Sequence, residues 1–259
     1  MKKFTALLLA ILMTLTLFAG CGAKEDSDLA YVKKNGKLIV GITDYAPMDY
    51  KDANGEWTGF DAEFAQLVAK ELGVEVEFFV LSDWGQKFYE LETKNIDCVW
   101  NGMTITEEAL LNASVSDPYV INAQVIVMKA DVVGNYTDTD SLKGLTFAVE
   151  SGSAGEAALV DLGITGFTAL QDQTSALMEV KAGTAQACVI DITMANAMTG
   201  EGTNYADLAP GISLTSEEYG VAFRKDSDIT AEFNKIMAQL IADGTLQALA
   251  DKYQLTLAK

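Results

Sequence analysis

Histidine is absent from all 259 residues. With it goes the commonest zinc ligand and the usual proton shuttle at neutral pH, which argues against a zinc site and against His-based acid–base catalysis. Basic residues are scarce as well: 18 lysines and arginines face 37 aspartates and glutamates, for a formal net charge of −19. The acids are spread along the chain rather than gathered in a block. Such a surface repels phosphate, which argues against nucleic acid and anionic lipid surfaces as partners. It favours solubility and, as a weak corollary, a cationic ligand. Cysteine is reduced to Cys21, Cys98 and Cys188, too few for a disulfide framework. Cys98 and Cys188 each sit in a short apolar run, Asp97-Cys98-Val99-Trp100 and Ala187-Cys188-Val189-Ile190, that reads as a buried parallel strand. Two such strands in different lobes predict free buried thiols rather than a bridge. No metal and no cofactor are expected.

The N-terminus sets the compartment. Lys2 and Lys3 precede an apolar run, Leu7 to Phe18, interrupted by threonines and followed by small residues. The run is too short for a bilayer core and gives way at once to polar chain, so residues 1–20 read as a signal peptide. Leu17-Phe18-Ala19-Gly20-Cys21 resembles a bacterial lipobox, with Phe18 where leucine is usual, and this implies lipidation of Cys21. Residues 21–36 are mostly polar and read as a lipidated cysteine followed by a flexible tether. The expected location is extracytoplasmic, with the chain lipid-anchored to the cell membrane.

From Lys37 onward, short apolar runs alternate with amphipathic helices. Strands are expected at 38–42, 74–80 and 98–101, with helices at 59–72 and 84–93; Phe60, Phe64, Leu67, Val68 and Leu72 form one stripe. The plan is then repeated: strands at 145–149, 167–170 and 187–191, helices at 153–162 and 173–182. Alternation at this spacing implies parallel sheets covered on both faces, hence α/β architecture in two lobes. Gln124–Met128 and Tyr219–Phe223 are the expected crossings of a two-strand hinge. Lobe 1 would therefore comprise 37–126 plus 222–259, and lobe 2 would comprise 127–221. Two lobes on such a hinge close around a ligand.

Seven pieces then stand in order: Val40-Gly41 leading to Asp44-Tyr45-Ala46-Pro47, Gly59-Phe60-Asp61, Asn101-Gly102-Met103-Thr104-Ile105-Thr106, Ser116-Asp117-Pro118-Tyr119, Gly152-Ser153, Asp191, and Tyr219-Gly220-Val221-Ala222. Together they make the chain similar to the polar-amino-acid solute-binding proteins of ABC importers, with a periplasmic-binding-protein-like type II fold. The match runs from about Lys37 to Tyr253. The resemblance implies a non-enzymatic binding protein, expected as a monomer, that delivers an amino acid or amine derivative to a membrane permease. It places Gly102, Thr104 and Asp191 around the ligand amine, with Tyr45 and Trp84 as pocket walls. Asn101 and Met103 come with the same loop. Gly102 would allow close backbone approach, and Thr104 offers a hydroxyl acceptor. Ser153 and Ala154 open a helix whose free N–H groups suit a carboxylate.

Two departures stand out. The family's carboxylate-binding arginine would fall at position 109, where this chain has Ala109. Alanine offers no donor in place of a bidentate guanidinium. Either another cation substitutes, or the ligand lacks a free carboxylate. The first loop is also one residue short, so Asp44 is either the ligand-facing acid or its exposed neighbour. Among the aromatics, Trp84 is expected in the cleft, Trp100 in the core and Trp57 over a hairpin. Asp117 and Tyr119 are expected to brace the hinge, and Lys94 and Lys143 to be solvated. Two other classes compete with the binding protein. One is an enzyme on the same scaffold resembling cyclohexadienyl dehydratase, which would need a general acid beside a bound carboxylate. The other is a ligand sensor, disfavoured by the absence of a second span or signalling domain before Lys259.

Overall fold

Residues 27–259 are described by a computed structural model; the signal-peptide segment and Cys21 lie outside them. The first described residues correct the expected tether. Asp28–Asn35 form helix α1. Ser27 caps it by accepting the Ala30 N–H, Asp28 lies in its first turn, and Lys33 and Lys34 lie in its last, where each charge complements the helix dipole. The helix is docked on the body of the molecule. Ser27 Oγ and the Leu29 N–H both donate to Asp228, Asp28 pairs with Arg224 at 3.0 Å, and Val32 is buried.

Lobe 1 begins with β1 (Lys37–Ile42) and a hairpin of β2 (Tyr50–Lys51) and β3 (Trp57–Thr58), over which Trp57 packs near Phe78. Helix α2 (Phe60–Leu72) buries the apolar stripe, and β4 (Glu75–Val80) follows. A 3-10 turn at Trp84–Gln86 leads into α3 (Lys87–Glu92), and then come β5 (Cys98–Val99), α4 (Glu107–Asn112) and β6 (Ser114–Val115). Strand β7 (Val120–Asn122) leaves the lobe.

Lobe 2 contains β8 (Gln124–Lys129), β9 (Phe147–Glu150), α5 (Ala154–Asp161), β10 (Phe167–Leu170), α6 (Gln173–Ala182), β11 (Ala187–Asp191), α7 (Ile192–Met198) and β12 (Leu208–Ser213). The chain returns through β13 (Glu217–Tyr219) to β14 (Ala222–Phe223), α8 (Ile229–Ala242) and α9 (Thr245–Lys252).

The two sheets share one plan. Their orders are β4-β1-β5-β14-β6 and β10-β9-β11-β8-β12. The first two pairings in each are parallel and the last two antiparallel, so the sheets are mixed where parallel ones were expected. The crossing also moves. Gln124–Lys129 is buried between β11 and β12 and belongs to lobe 2, so the lobe boundary lies near residue 123 rather than 126. The crossing pair is β7 with β13, antiparallel, with Tyr219 opposite Val120. The apolar run 125–128 is buried on both faces, as a strand inside a sheet must be. A two-strand crossing has no such cover, and Ile121 in β7 is exposed.

Trp100 is core, as expected. Its ring meets Phe64 and Phe233 edge-on, at 4.9 and 5.1 Å. Cys98 and Cys188 occupy matching central strands and are both free and buried. Among the described residues no helix is long and apolar enough to cross a membrane, and no group of three or more Cys, Asp or Glu could hold a metal ion.

Candidate functional site

A cavity of about 430 Å³ lies between the lobes, at the ends of the strands where loops from both sheets meet. It brings together Tyr45, Trp84, Asn101, Gly102, Met103 and Thr104 from lobe 1 with Ser153, Ala154 and Asp191 from lobe 2. Asp44 is not among its lining residues. It is exposed, its carboxyl raised from the ordinary range first by partial burial and then by Asp172 of lobe 2. Of the two alternatives left by the shortened first loop, the structure takes the exposed neighbour. Asp117 and Tyr119 do not line the cavity either. The Asp117 N–H bonds Asn234, and the Tyr119 N–H bonds the carbonyl of Tyr219 across the hinge.

The deepest chemistry is a pair of carboxylates that share donors. Asp191 ends β11, and Glu217 begins the returning hinge strand. Gln124 Nε2 donates to Asp191 Oδ1 at 2.8 Å and to Glu217 Oε1 at 2.6 Å, and the Asn122 side-chain amide also donates to both. Tyr219 donates to Asp191 Oδ1 at 2.9 Å, and Gln173 donates to Oδ2. Thr104 donates to Glu217 Oε1 at 2.9 Å, and Thr215 donates to Oε2. Every one of these donors is neutral. Burial, then the charge of Glu217, raises the Asp191 carboxyl to about 6 in spite of those bonds. Two acids fixed side by side without a cation form a receptor for a positive charge. Asp191 Oδ2, with one donor against three on Oδ1, has the more open lone pair.

The lobe 1 wall is held from behind. Asp61, buried at the start of α2, accepts the Gly102 N–H at 2.6 Å and the Tyr119 hydroxyl at 2.8 Å. Burial raises its carboxyl to about 7. Gly102 has φ +55°, and a Cβ there would stand 2.5 Å from the Tyr45 ring. The glycine thus makes room for Tyr45 and Tyr219, and its N–H is already engaged by Asp61. Asn101 is similarly committed, its Oδ1 accepting the Thr43 N–H and its Nδ2 donating to the Thr43 hydroxyl. Tyr219 uses its proton on Asp191, so it accepts from Tyr45 at 2.5 Å or from Thr193 at 3.0 Å. Tyr45 also lies 2.6 Å from Thr193, a bond from lobe 1 to lobe 2. Burial pushes the Tyr45 and Tyr219 phenols well above their ordinary value, so both are neutral at physiological pH.

Among the lining residues to which the sequence assigns no ligand role are Lys87, Gln124, Glu150, Gln173 and Glu217. Lys87 stands one helical turn after Trp84, and that spacing was its only signal. Glu150 ends β9; burial, then Asp191, raises its carboxyl to about 8. Ser153 caps α5 by accepting the Glu156 N–H, and Glu156 Oε2 in turn accepts the Gly152 N–H at 2.6 Å. Ala109 is buried and lines the same cavity.

The sequence model of the bacterial extracellular solute-binding proteins, family 3, matches residues 38–256. The chain belongs to this family. The L-cystine-binding protein TcyJ of Escherichia coli (strain K12) is 32% identical over 252 residues, which cover 93% of this chain and 92% of TcyJ. The arginine-binding extracellular protein ArtP of Bacillus subtilis (strain 168) is 31% identical, with 98% of each chain covered. Among solved structures, the ancestral amino acid-binding protein AncCDT-1, a precursor of cyclohexadienyl dehydratase, superposes with a TM-score of 0.80 at 33% identity, covering 88% of this chain and 99% of its own. The type II two-lobed fold expected from sequence is therefore shown. So is the assignment as a binding protein rather than an enzyme, since these relatives bind amino acids.

Proposed function

We propose that this family 3 protein is the substrate-binding component of an ABC importer, taking an amino acid or amine-bearing derivative between its lobes. The observation that carries the reading is the Asp191–Glu217 pair, held by neutral donors in an interlobe cavity and so built to receive an ammonium group. Cystine-binding and arginine-binding relatives support an amino acid. Six acids line the cleft against one lysine, which favours a ligand with a further positive charge. The dehydratase-like alternative finds little here. Glu150 and Asp191 have raised carboxyls, but the chain has no histidine and Lys87 is the one cation among the described lining residues.

A thermal-shift screen of the common L-amino acids, L-ornithine, L-cystine and simple amines tests the reading. At least one should raise the melting point and be recovered chemically unchanged. Conversion of the bound compound would transfer the chain to the enzyme class. The proposal includes lipidation at Cys21, supported by the Ala19-Gly20-Cys21 junction. Cys21→Ser should move the protein out of the membrane fraction of its cells without altering ligand affinity, whereas equal retention would remove the anchor from the account.

A further inference from the structure

Among the described residues, Lys87 is the only base that lines the cleft, where Glu107, Glu108, Glu150, Asp161, Asp191 and Glu217 also lie. A buried lysine among so many carboxylates would ordinarily pair with one. None of the ion pairs among the described residues includes it. Lys87 is 6% exposed, and its Nζ rests on two carbonyls, Trp84 O at 3.4 Å and Gly152 O at 3.2 Å. It also stands over the Trp84 and Phe88 rings, at 4.8 and 5.0 Å. Burial lowers the ammonium's pKa, with Glu108, Glu150 and Asp83 acting the other way.

The Gly152 carbonyl belongs to lobe 2, in the loop that enters α5. The reciprocal cap there uses the N–H groups of Gly152 and Glu156, which leaves those of Ala154 and Gly155 as first-turn donors at the positive end of the helix. An ammonium from lobe 1 and a helix N-terminus from lobe 2 therefore converge on one place. Two positive features brought together call for an anion between them. Because the same cavity contains the Asp191–Glu217 cation receptor, the anion can be the other end of one zwitterion.

We infer that Lys87 holds the ligand's carboxylate, supplying from α3 the charge that Ala109 cannot supply from α4. The inference rests on the proposed function and makes it specific: the preferred ligand is a free amino acid rather than its amide. It also makes the carboxylate subsite a product of closure, since its two halves come from different lobes.

The test uses the common L-amino acids, L-ornithine and L-cystine, each as free acid and as carboxamide. They are titrated into wild type, Lys87→Met and Lys87→Gln by calorimetry. Wild type should prefer the free acid by about 10- to 100-fold, the range a charged hydrogen bond supports. In both variants the ratio of acid to amide affinity should fall to about one. Loss of the Gly152 contact alone would weaken both forms equally and leave the preference intact. Adding Ala109→Arg to Lys87→Met should restore the preference. A wild type that does not discriminate, or variants that keep the preference, would overturn the role of Lys87 and leave the solute-binding reading in place. Failure of every acid and every amide to bind would overturn the solute-binding reading, and this inference with it.

Discussion

Asp191 and Glu150 show how the site stores its demand for a cation in the protonation of single residues. Their folded carboxyls titrate at about 6 and about 8, against ordinary values of 3.8 and 4.5. Each holds its proton more tightly folded than unfolded, so the stability it allows is complete at acid pH and falls as pH rises through those values. Asp61, at about 7, acts in the same direction. The ligand-free melting point should therefore decline between pH 5 and pH 8. A bound ammonium favours the ionised acids, so the stabilisation it gives should grow over the same interval. Melting curves at half-unit pH steps, with and without the screened ligand, check both signs; a ligand effect that shrinks toward pH 8 would contradict them. Nothing in the sequence announces these shifts. Asp191 was legible as a strand-terminal acid, but the partner that raises it, Glu217, is brought alongside only by the returning hinge strand.

At the scale of elements, Gly152 and the turn that opens α5 bring lobe 2 close against lobe 1. Gly152 has φ +69°, and a Cβ there would lie 2.8 Å from the Cα of Gly85 in lobe 1. Gly152→Ala must strain the turn or hold the lobes apart, and ligand affinity should fall about tenfold or more. Calorimetry on the variant decides this, and unchanged affinity would show that binding does not need this approach. Most elements were readable from periodicity: the stripe of α2, the two central cysteine strands, and the paired strand–helix plan. Errors arose where local pattern and topology diverge. Gln124–Lys129 looks like any apolar strand, and only the sheet order shows that it lies inside lobe 2. The polar residues of helix α1 suggest a tether, yet Ser27 and Asp28 are a capping signal. Its anchors, Asp228 and Arg224, lie about two hundred residues away.

For the whole molecule, the described arrangement is a closed one, with Tyr45 bonded to Thr193 and Lys87 to Gly152 across the cleft. Nine of the ten residues expected at the ligand line one cavity, and the resemblance to the solute-binding family, carried by short motifs such as Asn101-Gly102-Met103-Thr104 and Gly152-Ser153, is what points to them. Gln124, Gln173 and Glu217 are not visible in sequence, because sheet register, helix packing within lobe 2 and the returning hinge strand are what bring them to Asp191. The account's central claim is that a positively charged group of the solute binds the carboxylate pair in this cleft. Calorimetric titration of the screened ligand into wild type and Asp191→Ala tests it most directly, with circular dichroism confirming that the variant is folded. Wild type should bind one ligand per chain, and the variant should lose about a hundredfold or more in affinity, as truncating a buried charge pair does. Equal affinity in the two proteins would place the ligand elsewhere and contradict the account.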